Sequence, residues 1–329
     1  MNTVEPPAPY TVREMSHVDW PRVQAGFAHS VLDCHTPETW TWKFGTDTPN
    51  GWRAWVACHP EDGVIAFLGA TAQRAQLKGI AVTTLHCSDA FTHPRWHSCG
   101  QHAPHVHIET AFQAHQQGFA ALSLDFGLDS RMKLGFLSGN LLPFHGGTWL
   151  QSLVRSSAAR PGDSVQLDIT HFESPEWTGL WAQRGHHMRW SLVRDHAFLA
   201  WRFDPRQGRA YHCFALRSAT TPLPLGYVVV RLIGSAQAVL IDCVLPPQLQ
   251  QVRDAWGLLG LWLGRQGIQR VITYMADACP EQRALRQLGW SPCQPPLPVL
   301  PGFTLYDSRY SAEDINRHYA FTLADTDLY

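Results

Sequence analysis

Apolar residues recur at helical spacing from Asp19 to Val31, at Trp20, Val23, Phe27 and Val31, which predicts an amphipathic helix behind a short strand that starts at Tyr10. After Trp40-Thr-Trp-Lys-Phe-Gly45, a polar turn through Asn50-Gly51 leads to the alternating strand Trp52 to Cys58. Glu61-Asp62-Gly63 reads as a hairpin turn into the strand Val64 to Gly69, and a further strand around Gln73 to Leu77 turns at Lys78-Gly79. There follows the β-branched segment Val82-Thr83-Thr84, a turn over Asp89-Ala-Phe-Thr-His-Pro94, and a short loop centred on Gly100. A helix-like run from about Ala103 to Gln117 comes next, then the continuous apolar run Phe119 to Phe126, which suits a strand buried in a sheet. Asp129 to Phe136 reads as the next helix. The strand-loop-helix unit around Gly100 is the feature with chemical content, because unpaired N–H groups and aligned peptide dipoles at a helix start favour an anion such as a phosphate.

The stretch from Ser156 to about Phe172 is rich in Ser, Ala, Arg, Pro and Gly and reads as a connector. Beyond it, strands are expected at Tyr211 to Leu216, Leu225 to Leu232, Val239 to Val244 and Gln269 to Met275, with helices at Gln248 to Arg265 and Glu281 to Leu288. Trp42-Lys43-Phe44 returns as Trp201-Arg202-Phe203, and Leu134-Gly135-Phe136 as Leu288-Gly289-Trp290, at nearly one spacing. Two landmarks repeating in register indicate a duplicated unit. The expected organisation is a disordered lead over residues 1–9, an N-terminal domain over 10–155, a linker over 156–171 and a C-terminal domain over 172–329. The fold class is α/β (α+β), each domain a mixed, mostly antiparallel sheet flanked by helices. The Trp-Lys/Arg-Phe triplets read as packing signatures.

Composition narrows the function. The chain has 329 residues, a formal net charge of −1 and 16% charged residues, below the ~25% usual in soluble domains. No global field is available to recruit nucleic acid or an anionic membrane. The eight cysteines are scattered with no C-x-x-C pair, and the first residues show neither a basic nor an apolar leader region, so a reducing, cytoplasmic setting is expected. The longest apolar run, Trp256 to Leu263, is far below the ~18 residues of a membrane span.

The order Asp89-x3-His93-Pro94-x2-His97-Ser98-Cys99-Gly100, followed by a helix, resembles the acyl-CoA pyrophosphate loop of the Gcn5-related N-acetyltransferase (GNAT) superfamily. His97 stands where that superfamily favours Arg or Gln, Gly100 is retained, and His102 replaces the second small residue. The second half moves from strand to helix through Asp242-Cys-Val-Leu-Pro-Pro-Gln-Leu, with no glycine. Tyr319-Ala-Phe-Thr-Leu-Ala-Asp325-Thr-Asp327 resembles the tail of bacterial tandem members, similar to Fem-type aminoacyltransferases and other double-GNAT acyltransferases.

The resemblance implies an acyl-CoA donor held by His97, Ser98, Cys99, Gly100, Gln101, His102 and Ala103. It also implies a small-molecule amine acceptor and a proton acceptor on or near the central strand. Asp89, His93 and His86 are the candidates there, with Glu109 on the helix as a further one; a histidine suits because its ordinary pKa lies near 6.5. The tyrosine the superfamily often uses as an acid after the fifth strand is missing from Asp125 to Phe136. Aminoacyl-tRNA or a carrier protein is the alternative donor partner, and a non-catalytic scaffold of degenerate domains is the alternative from another class. His93, His97, His102, His105 and His107 crowd one stretch with Cys87 and Cys99 nearby. Their spacing is irregular, and His105 and His107 diverge on a helix, so no metal is expected.

Overall fold

Alternating side chains of one strand sort the first layers of the molecule: in β2 (Trp52–His59), Trp55 and Ala57 face one side of the sheet and Ala54 and Val56 the other. In the computed structural model, which describes residues 9–30, 36–96, 103–128, 141–153, 164–184, 190–294 and 299–327, contacts divide the chain into two units. The described residues of the first fall within 1–73, 83–125 and 305–308, and those of the second within 74–82, 126–304 and 309–329.

The first unit is built on the strand order β1 (Thr11–Glu14), β2, β3 (Gly63–Leu77), β4 (Ile80–Thr92) and β5 (Leu122–Leu128). β1, β2 and β3 are antiparallel neighbours, and β4 runs parallel to β5. Helices α1 (Trp20–Ser30) and α2 (Pro37–Phe44) cover one face, where Val23, Phe27, Trp40 and Phe44 meet Ala54, Val56, Phe67 and Phe91. Helix α3 (Pro104–Ala114) covers the other with Ile108 and Phe112 against Trp55, Leu68 and Leu85. α2 begins as its residues dictate: Thr36 accepts from the Thr39 N–H, and Pro37 occupies the first turn.

Two expectations change here. β3 is one long strand through Gly69 and Ala70 rather than two, because small residues there are enclosed and remain in the ladder. β4 runs on to Thr92, so Asp89 lies in a strand and the turn is Pro94–Trp96. The turn at Lys78-Gly79 has positive φ at both residues (53° and 76°), as a two-residue hairpin of the primed kind requires.

The second unit carries a seven-stranded sheet in the order β14 (Ser291–Cys293), β7 (Gly146–Ser152), β13 (Arg270–Ala276), β12 (Gln237–Val244), β11 (Gly226–Ile233), β10 (His212–Arg217) and β8 (Gln166–Ile169). Helix α6 (Leu249–Arg265) lays Val252, Ala255, Trp256, Leu259 and Leu263 on one face of it. Also in this unit are β6 (Leu142–Pro143), α4 (Glu176–Arg184), β9 (Trp190–Leu192), α5 (His196–Arg202), α7 (Pro280–Gln287), β15 (Val299–Leu305) and α8 (Ala312–His318). β15 pairs with β6, and β9 with Ala75, Gln76 and Leu77 of β3.

The division differs from a boundary at 156–171. β7, assigned above to the N-terminal domain, pairs antiparallel with β13, and its Trp149 and the following Leu153 are part of the second unit's core. Within the expected linker, Gln166–Ile169 is an edge strand on β10. The expected helix Asp129 to Phe136 lies outside the described residues. No helix among the described residues is long and apolar enough to cross a membrane.

Candidate active site

In each unit two parallel central strands part midway, and a carboxylate stands just beyond the parting. In the first, the rungs between β4 and β5 run from Thr84↔Leu122 to Cys87↔Asp125, while β4 continues to Thr92 and β5 to Leu128. In the second, the rungs between β12 and β13 run from Gln237↔Arg270 to Val239↔Ile272, while β12 continues to Val244 and β13 to Ala276. Both forks coincide with a slip in strand alternation. Leu85 and Cys87 belong to the α3 side but Phe91 to the α1–α2 side, so one residue is out of step between Cys87 and Phe91. In β12 the register against β11 shifts between Val229 and Val230, leaving Ile241 unpaired; accordingly Leu240 and Cys243 share the α6 face.

His86, between Leu85 and Cys87, therefore faces the α1–α2 side, and it is buried. Asp89 is on that side too, because the Lys43 ammonium of α2 sits 2.5 Å from its Oδ2. Ser88 Oγ donates to the same oxygen at 3.1 Å. Lys43 and Asp89 are both enclosed, so the middle residue of the Trp42-Lys43-Phe44 triplet does more than pack. His93 follows the strand, where its N–H donates to the Ile65 carbonyl and its Nδ1 accepts from the Arg95 N–H. Glu109 lies half-buried on α3, on the other side of the sheet, so the structure separates it from His86 and Asp89. His107 of α3 is hydrogen-bonded through Nδ1 to the Tyr10 hydroxyl at 2.8 Å, and His105 is exposed.

Of the expected donor loop, His97, Ser98, Cys99, Gly100, Gln101 and His102 lie outside the described residues. Ala103 is described: it is buried and caps α3 with extended backbone and no side-chain hydrogen bond, with Pro104 in the first turn. The N–H groups of that turn thus receive no capping side chain from Ala103. Among the described residues no group of three or more His, Cys, Asp and Glu side chains is arranged to hold a metal.

A tyrosine does reach β5, from a distant part of the chain. The Tyr306 hydroxyl is 3.0 Å from Ser123 Oγ, and the Tyr306 N–H donates to the Ala121 carbonyl. Burial pushes its phenol pKa far up, with Cys87 and Asp125 adding in the same direction, so the group stays protonated. No spacing in the sequence announces it.

In the second unit Asp242 holds the place of Asp89, but its partners are different. Asp242 Oδ2 accepts from Arg194 Nε at 2.9 Å and from the Tyr227 hydroxyl at 2.7 Å, and Oδ1 accepts from the Thr322 hydroxyl at 2.7 Å. Arg194 Nη2 donates onward to Asp325 Oδ1 at 2.6 Å and to Thr322 Oγ1 at 3.0 Å. Burial raises the Asp325 pKa to about 7, against the pull of Arg194. Arg202, the middle of the second triplet, donates to the carbonyls of Ala324 (2.9 Å) and Thr326 (2.6 Å).

This architecture is that of tandem GNAT proteins. A structure of a conserved Enterococcus faecalis protein titled a probable N-acyltransferase superposes over 91% of this chain and 72% of its own, with a TM-score of 0.67 at 12% identity. A GCN5-related N-acetyltransferase from Anabaena variabilis matches over 90% of this chain and 73% of its own, with a TM-score of 0.65 at 12% identity. A tandem GNAT protein from the clavulanic acid biosynthesis pathway matches 90% of this chain and 98% of its own, with a TM-score of 0.53 at 13% identity. Neither a scan against protein-family models nor a search of curated proteins finds a match.

Proposed function

We propose that this chain is an N-acyltransferase that moves an acyl group from acyl-CoA, or another acyl thioester, to an amine of a small molecule, and that the reaction takes place in the first unit. The carrying observation is the β4–β5 parting at Cys87↔Asp125, with buried His86 and Asp89 on the same α1–α2 side. The tandem GNAT fold supports the same reading. The donor's anionic end belongs to the start of α3, where Ala103 leaves the first turn without a side-chain cap.

The amine nitrogen attacks the thioester carbonyl, the carbon–sulfur bond breaks, and the nitrogen gives up a proton as the thiol leaves. We assign the proton acceptor to His86. Asp89 is already engaged by the ammonium of Lys43. In this reading the Lys43–Asp89 pair holds the end of β4 in place.

The test is calorimetric titration of the chain with acetyl-CoA and longer acyl-CoAs, followed by thiol-release assays over a panel of small amines. Saturable binding is expected, and His86→Gln should keep donor affinity while lowering turnover about 10²–10⁴-fold. Absence of binding by every acyl-CoA would contradict the donor assignment. Undiminished turnover of the variant would remove His86 from the mechanism.

A further inference from the structure

The fork of the second unit holds a piece of the chain itself. β13 has β7 along one edge, where the Asp277 N–H donates to the His145 carbonyl. One residue earlier the N–H points to the opposite edge, the one that turns toward β12, and there the Ala276 N–H donates to the Phe321 carbonyl at 3.0 Å. The Ala320 N–H meanwhile donates to the Trp190 carbonyl at 2.7 Å, so residues 320 and 321 bridge β9 and β13. The short 3₁₀ turn that follows, Leu323–Asp325, packs against both β12 and β13.

Side chains lock the segment in place. Thr322 ties to Asp242, Asp325 to Arg194, and Arg202 to the carbonyls of 324 and 326. Phe321 is fully buried and stacks on Tyr274 of β13 with ring centroids 5.7 Å apart, while Ala320 belongs to the α6-side core. The backbone edge and the carboxylate that a fork exposes are thus both engaged from within.

We infer that the second unit's fork is a built binding site for the chain's own C-terminal segment, residues 319–326, and that it is closed to an acyl donor, leaving one donor site per chain. The count of one rests on the acyltransfer reading above; the occupancy of the fork does not. The strand-to-helix passage agrees, since Val244 to Gln248 carries two prolines and no glycine.

Amide exchange of the unliganded full-length chain tests the occupancy, and native mass spectrometry with acetyl-CoA tests the count. The Ala276 and Ala320 amides should exchange as slowly as those in the middle of β12, and no more than one acetyl-CoA should be retained per chain. Exchange at these two amides more than about a hundredfold faster than in β12 would show a segment that leaves the fork, and overturns the inference. Two retained donors overturn it as well. No retained donor would defeat the acyltransfer reading alone, and the amides would still decide the occupancy. The double variant Thr322→Val/Asp325→Asn should raise exchange at Ala276 at least tenfold; should it fail to fold, the wild-type comparison stands.

Discussion

Asp89 and Asp242 occupy matching places beyond the two strand partings, yet one is answered from a neighbouring helix and the other by Arg194, Tyr227 and a residue of the C-terminal segment together. Lys43 of α2 meets Asp89, whereas Asp242 is met by Arg194, Tyr227 and Thr322, with Asp325 behind Arg194. The same backbone device has been given two uses: in the second unit it secures a terminus, and in the first it is left to the reaction proposed here. A duplicated fold does not duplicate chemistry, because chemistry follows the side chains that enter the fork.

Breaking each pair sharpens that contrast. Arg194→Met has the largest expected effect, because it strands two enclosed carboxylates; denaturant unfolding should show a loss of about 5 kcal/mol, with the C-terminal segment released. Lys43→Met removes the cation beside the enclosed Asp89, so about 3 kcal/mol is expected, and the double variant Lys43→Met/Asp89→Leu should recover most of it. Thr322→Val removes one hydroxyl that serves Asp242, Arg194 and the Ala324 N–H, with an expected loss of about 1–2 kcal/mol.

Two pH effects of opposite sign are smaller. Hydrogen bonding from Arg13 lowers the Asp19 pKa from 3.8 to about 2. Its contribution is therefore present above pH 4 and lost as pH falls toward 2, by about 2 kcal/mol or less, and Arg13→Ala should flatten that acid limb in thermal melts. Glu281, at the start of α7, is enclosed and accepts from Cys279 Sγ at 3.3 Å; burial raises its pKa above 4.5. Burial disfavours its charged form, so its contribution is intact below the ordinary glutamate range and declines as pH rises above it. Glu281→Gln should remove that decline.

Local pattern disclosed much of the fold. The helix faces of α1 and α6, the hairpin glycines, and the order of strands in the second half follow from period, turn chemistry and apolar runs. The repeated triplet marked the duplication, and its buried cations proved to be the residues that bind β4 in one unit and the C-terminal segment in the other. Aspartate favours turns, and only the ion pair with Lys43 shows why a strand tolerates Asp89. Arg194, Tyr306 and the destination of β7 were not legible. Each is defined by a partner more than 40 residues away, Asp242, Ser123 and β13 respectively, and a sequence shows a residue without its partner.

The most direct test of the account is hydrogen–deuterium exchange of the full chain with and without saturating acetyl-CoA. New protection is expected in β4 beyond Cys87, in β5 beyond Asp125 and at the start of α3, with β12, β13 and the start of α6 unchanged. New protection at β12 and α6 in place of the first unit would contradict it.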